Sequence, residues 1–313
     1  MKPQQIVATL RGGLVDQILP RESSYIGLSI SRLAAIRLRV GLEWLVQSSI
    51  YRRQMKERLE STRCLRSSAT GIPAVVLATG PSLSEVDIAA LEQVQALGGQ
   101  VFALNFFNET NIALQVKPDY YVLADPVFLV DWESSRRIRR VWEYIQALET
   151  PTVFLPAHTD IKELPESCDF RYFNGLGLDG WSKNISPLRA RGFLGLTAYH
   201  AISIALFLGH DPVFTIGVDN DAFLSVGQEP NGTLRLAGRH AYTEEPGPIP
   251  GETTRSMPQL LEDYARHFAD LELFPTDRLV NLATSSLITQ YPQGNLRLWL
   301  KDSGKSGRGR NTS

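Results

Sequence analysis

The stretch AVVLATGPSLSEVD at 74–87 sets an apolar run against a tight turn and the apparent start of a helix. Ser82 and Glu85 fit the S-x-x-E capping box, and a helix beginning there would offer unbonded backbone N–H groups and a partial positive charge to an anion. Thr79, Gly80 and Ser82 are therefore candidates for holding a phosphate, with plain helix capping by Ser82 as the alternative. The turn is neither a Walker loop nor the GxGxxG fingerprint, which lowers the case for kinase-type ATP use and for a dinucleotide cofactor. Further polar residues follow other apolar runs: Asn105 and Asn108, then Asp125-Pro126, then Asp219-Asn220-Asp221. The last is a D-x-D pattern, whose oxygens suit either a divalent cation or turn chemistry. Two cysteines, Cys64 and Cys168, stand far apart with no Cys/His cluster, so no disulfide framework or structural zinc site is expected.

The elements that must position these residues alternate. The runs at 74–78, 101–107, 120–124, 152–156, 213–218 and 279–283 are too apolar for one wet face and read as buried strands. Between them, 83–96, 127–148, 197–208 and 256–270 read as helices, which implies an α/β fold with a mostly parallel, single Rossmann-like sheet covered on both faces. Such a sheet binds ligands at the carboxyl ends of its strands, where the polar residues named above fall. Residues 192–210 hold no Asp, Glu, Lys or Arg but include Thr197, Tyr199, His200 and Ser203, which suits a buried helix better than a membrane span.

Three segments stand outside this rhythm. Residues 1–67 carry 12 Lys and Arg against 5 Asp and Glu, although the whole chain of 313 residues has a net charge of −1. From Ser29 to Glu60 the pattern is that of an amphipathic helix with Arg32, Arg37, Arg39, Arg52, Arg53, Lys56 and Arg58 on its polar side, able to pack on the main domain, on a partner or on anionic lipid. Residues 219–255, rich in Gly and Pro, read as a mobile lid, and 301–313 as a disordered tail. The main domain is accordingly placed at 68–300. A balanced charge argues against nucleic acid as the partner, and the absence of a signal-peptide pattern together with sparse cysteine suggests the cytoplasm.

The order of GPSL, an Asn after the second apolar run, an acid-Pro pair and a GxD strand end resembles bacterial CMP-sialic-acid-dependent sialyltransferases over residues 73–292. Those enzymes, the related motility-accessory-factor glycosyltransferases and the 6-hydroxymethylpterin pyrophosphokinase-like proteins form one superfamily. The resemblance implies Thr79, Gly80 and Ser82 at the nucleotide phosphate, Asn105 between phosphate and transferred sugar, and Asp125 at the ribose or base. It implies Thr197 beside the CMP moiety, Asp219 at the GxD strand end, and Ser285 or Ser286 near the ligand. It also implies a lid histidine as general base, and His240 is the one histidine in 219–255. Tyr242 nearby would be a phosphate donor. An imidazole suits the role because its ordinary pKa lies near neutrality. Where the resemblance calls for two lid tyrosines after Asp219 the chain has Asn220, Asp221, Ala222 and Phe223, and where it calls for an arginine before Thr197 it has Leu194.

The function implied is inverting transfer of a nonulosonic acid from a CMP-sugar to a glycan or protein hydroxyl, with no metal and no further cofactor. Two alternatives stand beside it: a diphosphotransferase acting on a pterin with ATP and magnesium, and a non-catalytic scaffold working through the N-terminal helix. A peripheral contact of that helix with the inner face of the cell membrane is the expected localisation signal.

Overall fold

Runs of β-branched and aromatic residues with no polar alternation can be satisfied only between two layers of helix, and the chain is built that way. The structure, a computed structural model, describes residues 30–129, 135–149, 151–159, 164–178, 181–228, 234–238, 240–241, 247–248 and 256–307. Helices α1 (Ile30–Ile50) and α2 (Arg52–Arg63) lead into β1 (Ala74–Leu77), followed by α3 (Ile88–Ala96), β2 (Gln100–Leu104) and β3 (Tyr120–Val122). Then come α4 (Arg136–Ala147), β4 (Thr152–Pro156), β5 (Asp169–Phe173), α5 (Thr197–Leu208) and β6 (Val213–Ile216). Short strands β7 (Val226–Gln228), β8 (Leu234–Gly238) and β9 (Gly247–Pro248) precede α6 (Met257–Leu271), β10 (Leu279–Asn281) and α7 (Leu296–Gly307).

Seven strands form one sheet in the order β10-β6-β1-β2-β3-β4-β5, every pair parallel. Successive strands step outward from β1 to β5, after which the chain returns to lay β6 on the other side of β1. The α/β expectation therefore holds, and the order reverses between β1 and β6, where a crevice must open at the carboxyl ends. All four residues of β1 and of β6 are buried. Leu77, Ala103, Tyr121 and Phe214 face one core with α3, α4 and α7, while Val76, Phe102, Phe154 and Val213 face the other with α5.

Strand β5 does not appear among the apolar runs, because DFRYF alternates: it is the sheet's edge and is half wet. Its outer backbone is covered by α2. Thr62 Oγ1 donates to the Tyr172 carbonyl (2.7 Å) and accepts from the Tyr172 N–H (2.9 Å), so the open edge cannot recruit another strand. The basic N-terminal face is thereby divided. Arg58 donates to the carbonyls of Ala157 and Thr159, and Arg39 is buried against Glu43, whereas Arg37, Arg52, Arg53 and Lys56 remain exposed. Arg32 has no described side chain.

Two expectations need correction. Within 219–255, Val226–Gln228, Leu234–Gly238 and Gly247–Pro248 pair as a three-stranded antiparallel sheet, since Leu234-Arg235-Leu236 supplies a period-two pattern opposite Val226-Gly227-Gln228. The segment from Lys301 is not uniformly irregular, because α7 continues through it to Gly307; Asn295 Oδ1 accepts from the Arg297 N–H (2.9 Å) and Leu296 is buried in the core, so the helix is anchored at its start. Residues 308–313, and around Tyr242 residues 239 and 242–246, lie outside the described residues.

Candidate functional site

A cavity of about 260 Å³ opens at the switch point. Its floor is Thr79 and Gly80 after β1, Asn105 after β2 and Asp219 after β6; its walls are the first turn of α5 at Thr197, the imidazole of His240, and Tyr264 and His267 of α6. Of the residues singled out from the sequence, Thr79, Gly80, Asn105, Thr197, Asp219, Asn220, Asp221 and His240 line it.

Ser82 does not cap a helix. Residues Pro81–Glu85 form a 3-10 turn, and α3 begins only at Ile88, capped by Asp87, whose carboxylate accepts from the Ala90 N–H (3.1 Å). Ser82 is buried; its N–H donates to Asp219 Oδ2 (2.9 Å) and its hydroxyl accepts from the Gly217 N–H (3.0 Å). Glu85 turns outward to the loop after β10, accepting from the Thr284 N–H and hydroxyl (both 2.7 Å) and from the Ser285 hydroxyl. Burial works against the Glu85 charge, but these hydrogen bonds prevail and hold its carboxyl below the usual range. The capping-box residues are thus tertiary fasteners, one for Asp219 and one for the β10 loop.

Three other residues fall off the cavity wall. Ser285 is committed to Glu85, and Ser286 donates to the Val218 carbonyl (3.3 Å) and accepts from the Ile288 N–H (3.2 Å). Asp125 is exposed and accepts from the Val127 N–H (3.0 Å), capping the turn Pro126–Phe128. Tyr242 lies outside the described residues.

Gly80 is glycine for a packing reason. A Cβ there would collide with Asp219 Oδ2 and the Gly217 carbonyl, so only a bare backbone lets the β1 and β6 turns close on each other. We expect Gly80→Ala to lower the unfolding midpoint by about 3–10 °C, the overpacking cost of roughly 1–3 kcal/mol spread over a chain of this size; an unchanged melt by calorimetry would show that the turn is looser than described.

The electrostatics of the cavity are acceptor-rich. Asp219 is 6% exposed, and with Oδ2 on the Ser82 N–H its Oδ1 has no hydrogen-bond partner. Burial pushes its carboxyl above the ordinary value; Ser82 pulls it down, while Asp221 and Glu85 push it further up. Asn105 sits in the left-handed region (φ 45°), which Asn tolerates, with its carbonyl accepting from the Tyr121 hydroxyl (2.6 Å) and its Oδ1 also buried without a partner. The donors come from α5: Leu196 at its N-cap position supplies no side-chain acceptor, and the amides of Thr197 and Ala198, on the cavity wall, have no acceptor within the helix. Burial lowers the His240 imidazole, which the Thr79 carbonyl partly offsets; Arg137 lowers it again and Asp221 raises it. Arg137 is itself held by both carboxylate oxygens of Glu109 (2.8 and 2.7 Å). The residue after His240 makes a backbone tie, the Ala241 N–H donating to the Thr79 carbonyl (2.9 Å), which joins this segment to the β1 turn.

Sequence reasoning missed Tyr264 and His267 at the cavity and read Tyr199 only as part of a buried helix. Tyr199 donates to the His267 carbonyl (2.5 Å) and accepts from Asn220 Nδ2 (2.9 Å), linking α5, α6 and the β6 turn across the cavity. Tyr264 and His267, at i and i+3 on α6, stack edge to face at 4.8 Å. The tyrosines at the cavity therefore come from helices rather than from the positions after Asp219. His200, by contrast, lies between Phe173 and Phe193, and burial drives it well below its ordinary value, which makes it part of the core. Among the described residues no three His, Cys, Asp or Glu side chains cluster as a metal site; Asp219 gives one oxygen to Ser82 and Asp221 begins a 3-10 turn.

No protein-family model and no curated protein matches the chain. Among solved structures it is similar to one described as "Structure of MAf glycosyltransferase from Magnetospirillum magneticum AMB-1", at 15% sequence identity and a TM-score of 0.46. The match covers 98% of this chain and 51% of that one, so the chain spans about half the length of that protein.

Proposed function

We propose that the chain is a glycosyltransferase that binds a nucleotide-activated sugar in the switch-point cavity and passes the sugar to a hydroxyl acceptor. The observation that carries this reading is the pairing, in one cavity, of two buried acceptors without donors, Asp219 Oδ1 and Asn105 Oδ1, with the uncapped N-terminus of α5. Hydroxyl-rich sugar satisfies the first pair, and an anionic leaving group satisfies the second. The donor assigned is a CMP-linked nonulosonic acid. The acceptor oxygen bonds to the anomeric carbon from the face opposite the leaving group, the bond from that carbon to the phosphate oxygen breaks with its electron pair going to CMP, and the hydroxyl proton passes to His240. The developing phosphate charge falls to the amides of Thr197 and Ala198. No step of this reading routes through a metal.

The test is titration calorimetry and thermal shift with CMP, CMP-sialic acid, UMP, ADP and ATP, each with and without magnesium. Stabilisation by CMP and its sugar without metal is expected, because a ligand selective for the native state raises its midpoint by mass action. Response to ATP with magnesium alone would replace this reading with diphosphoryl transfer, and silence from every nucleotide would replace it with a non-catalytic role.

A further inference from the structure

Helices α1 and α2 run on as nearly one rod. At the junction the Tyr51 N–H still donates to the Gln47 carbonyl (3.0 Å), and the Met55 N–H donates to the Tyr51 carbonyl (2.8 Å). One side of the rod is used by the domain: Tyr51, Met55 and Leu59 are buried together with Ala157 and Leu176. The other side is exposed and apolar where it should be polar. Leu38 (53% exposed), Leu42 (38%) and Leu45 (52%) recur at spacings of four and three, and the same face continues through Ser49 to Arg52 and Lys56. Trp181, 59% exposed, is held against α1 by its indole N–H, which donates to the Arg37 carbonyl (2.9 Å), and a Cβ added at Gly41 would meet its ring at 3.9 Å.

Around this patch the exposed charges are mostly positive: Arg37, Arg52, Arg53, Lys56, Arg63 and Lys183. Arg53 and Arg63 are paired with Glu57 and Glu60 of the same stretch of α2, both at 3.0 Å, which leaves Arg37, Arg52, Lys56 and Lys183 as the excess positive charge of the rim. We propose that this face lies on an anionic lipid bilayer, with the leucines and Trp181 at the headgroup boundary and the basic rim on lipid phosphates. Leucines and an amphipathic indole flanked by cations are the chemistry of an interfacial helix. Among the described residues no helix is long and apolar enough to cross a membrane, so the contact is in the plane of the surface. The rod also bonds the carbonyls of Ala157 and Thr159, just beyond the carboxyl end of β4, through Gln54 and Arg58. That is the end of the sheet on which the cavity opens, so docking would set the cavity toward acceptors carried at the membrane.

The experiment is flotation of the full chain with phosphatidylcholine vesicles containing 0 or 30% phosphatidylglycerol, at low and high salt. Binding is expected only with the anionic vesicles and should weaken as salt shortens the screening length. Leu38→Ser, Leu42→Ser and Leu45→Ser combined should reduce binding at least tenfold with the melting curve unchanged, because these side chains contact solvent in the folded chain. Arg52→Gln, Arg53→Gln and Lys56→Gln combined should flatten the salt dependence. Brominated lipid should quench a component of tryptophan fluorescence that disappears in Trp181→Phe. The proposal is overturned if the chain fails to float with 30% anionic lipid at low salt, or if the leucine variant floats as well as the wild type. It is equally overturned if sedimentation shows a dimer that the leucine variant dissociates while vesicles bind neither protein, which would make the face a contact between two copies of the chain.

Discussion

Asp219→Asn is expected to weaken donor-sugar binding at least tenfold while raising the melting temperature of the ligand-free protein. The carboxylate is buried, bonded through one oxygen to the Ser82 N–H, and carries a second oxygen with no donor. An amide keeps the Ser82 bond through its carbonyl but turns an N–H₂ toward the sugar hydroxyls, replacing a charge-assisted hydrogen bond worth about 1.5–3 kcal/mol with a neutral group that can only donate. In the empty site the same change relieves a desolvated charge. The Asp219 pKa is raised by burial, so the stability associated with its protonated form is complete below the ordinary carboxylate range and is lost as pH rises through the raised value. A permanently neutral side chain escapes that loss. The two proteins should therefore melt together below the ordinary carboxylate range, with the variant melting higher at neutral pH. A lower midpoint for the variant at neutral pH, with donor affinity intact, would make Asp219 a structural residue serving only Ser82.

That trade between stability and binding also explains which parts of the molecule were legible in the amino-acid order. Val75, Phe102, Tyr121, Val153 and Phe214 announce their strands because parallel strands are buried on both faces and have no polar alternation to hide in. Strand β5 was illegible for the opposite reason: an edge strand keeps Asp169 and Arg171 in contact with water, and its partner on the outer side is a helix from the other end of the chain. The start of α3 was misplaced because capping chemistry is local in sequence but can be redirected by tertiary contacts. Ser82 lies close enough to β6 to hold Gly217 and Asp219, and it serves them instead of its own helix.

The site shows the same division. Asn105, Thr197 and Asp219 were found because each follows a strand or opens a helix, positions that a parallel sheet sends to one edge. Thr197 proves to stand where Ser82 was expected to stand, at a helix N-terminus pointing into the crevice, and the residue that leaves it open is Leu196, which cannot cap. Nothing local marks Tyr264 and His267 as cavity residues. They occupy the inner face of an amphipathic helix, where an aromatic and a histidine three apart usually mean core packing. Only the topology, which lays α6 beside the β6 turn, turns that face into a wall.

His240→Ala is expected to lower sugar transfer by 10²- to 10⁴-fold, the range typical of a positioned acid–base group, while leaving donor affinity within a few-fold of the wild type. The reasoning rests on placement and on charge state. The imidazole lines the same cavity as Asp219, and the next residue is tied to the β1 turn by the Ala241 N–H donating to the Thr79 carbonyl. Burial, the largest influence on it, holds its pKa below the ordinary histidine value, and the opposing pull of the Thr79 carbonyl and Asp221 does not restore it. A base that remains neutral below the usual histidine range can still accept a proton in mildly acid solution. Transfer should therefore stay level as pH falls from 8 through about 6.5, where an ordinary histidine would already be half protonated, and decline only below that. His240→Gln should behave like the alanine variant, since an amide reproduces the hydrogen bond but not the proton acceptance. The measurement is nucleotide release in the presence of a simple sugar acceptor across that pH range, with binding followed separately by calorimetry. An acid limb centred at or above 6.5, or a glutamine variant with near-normal turnover, would remove His240 from the chemistry and leave it a cavity-lining residue only.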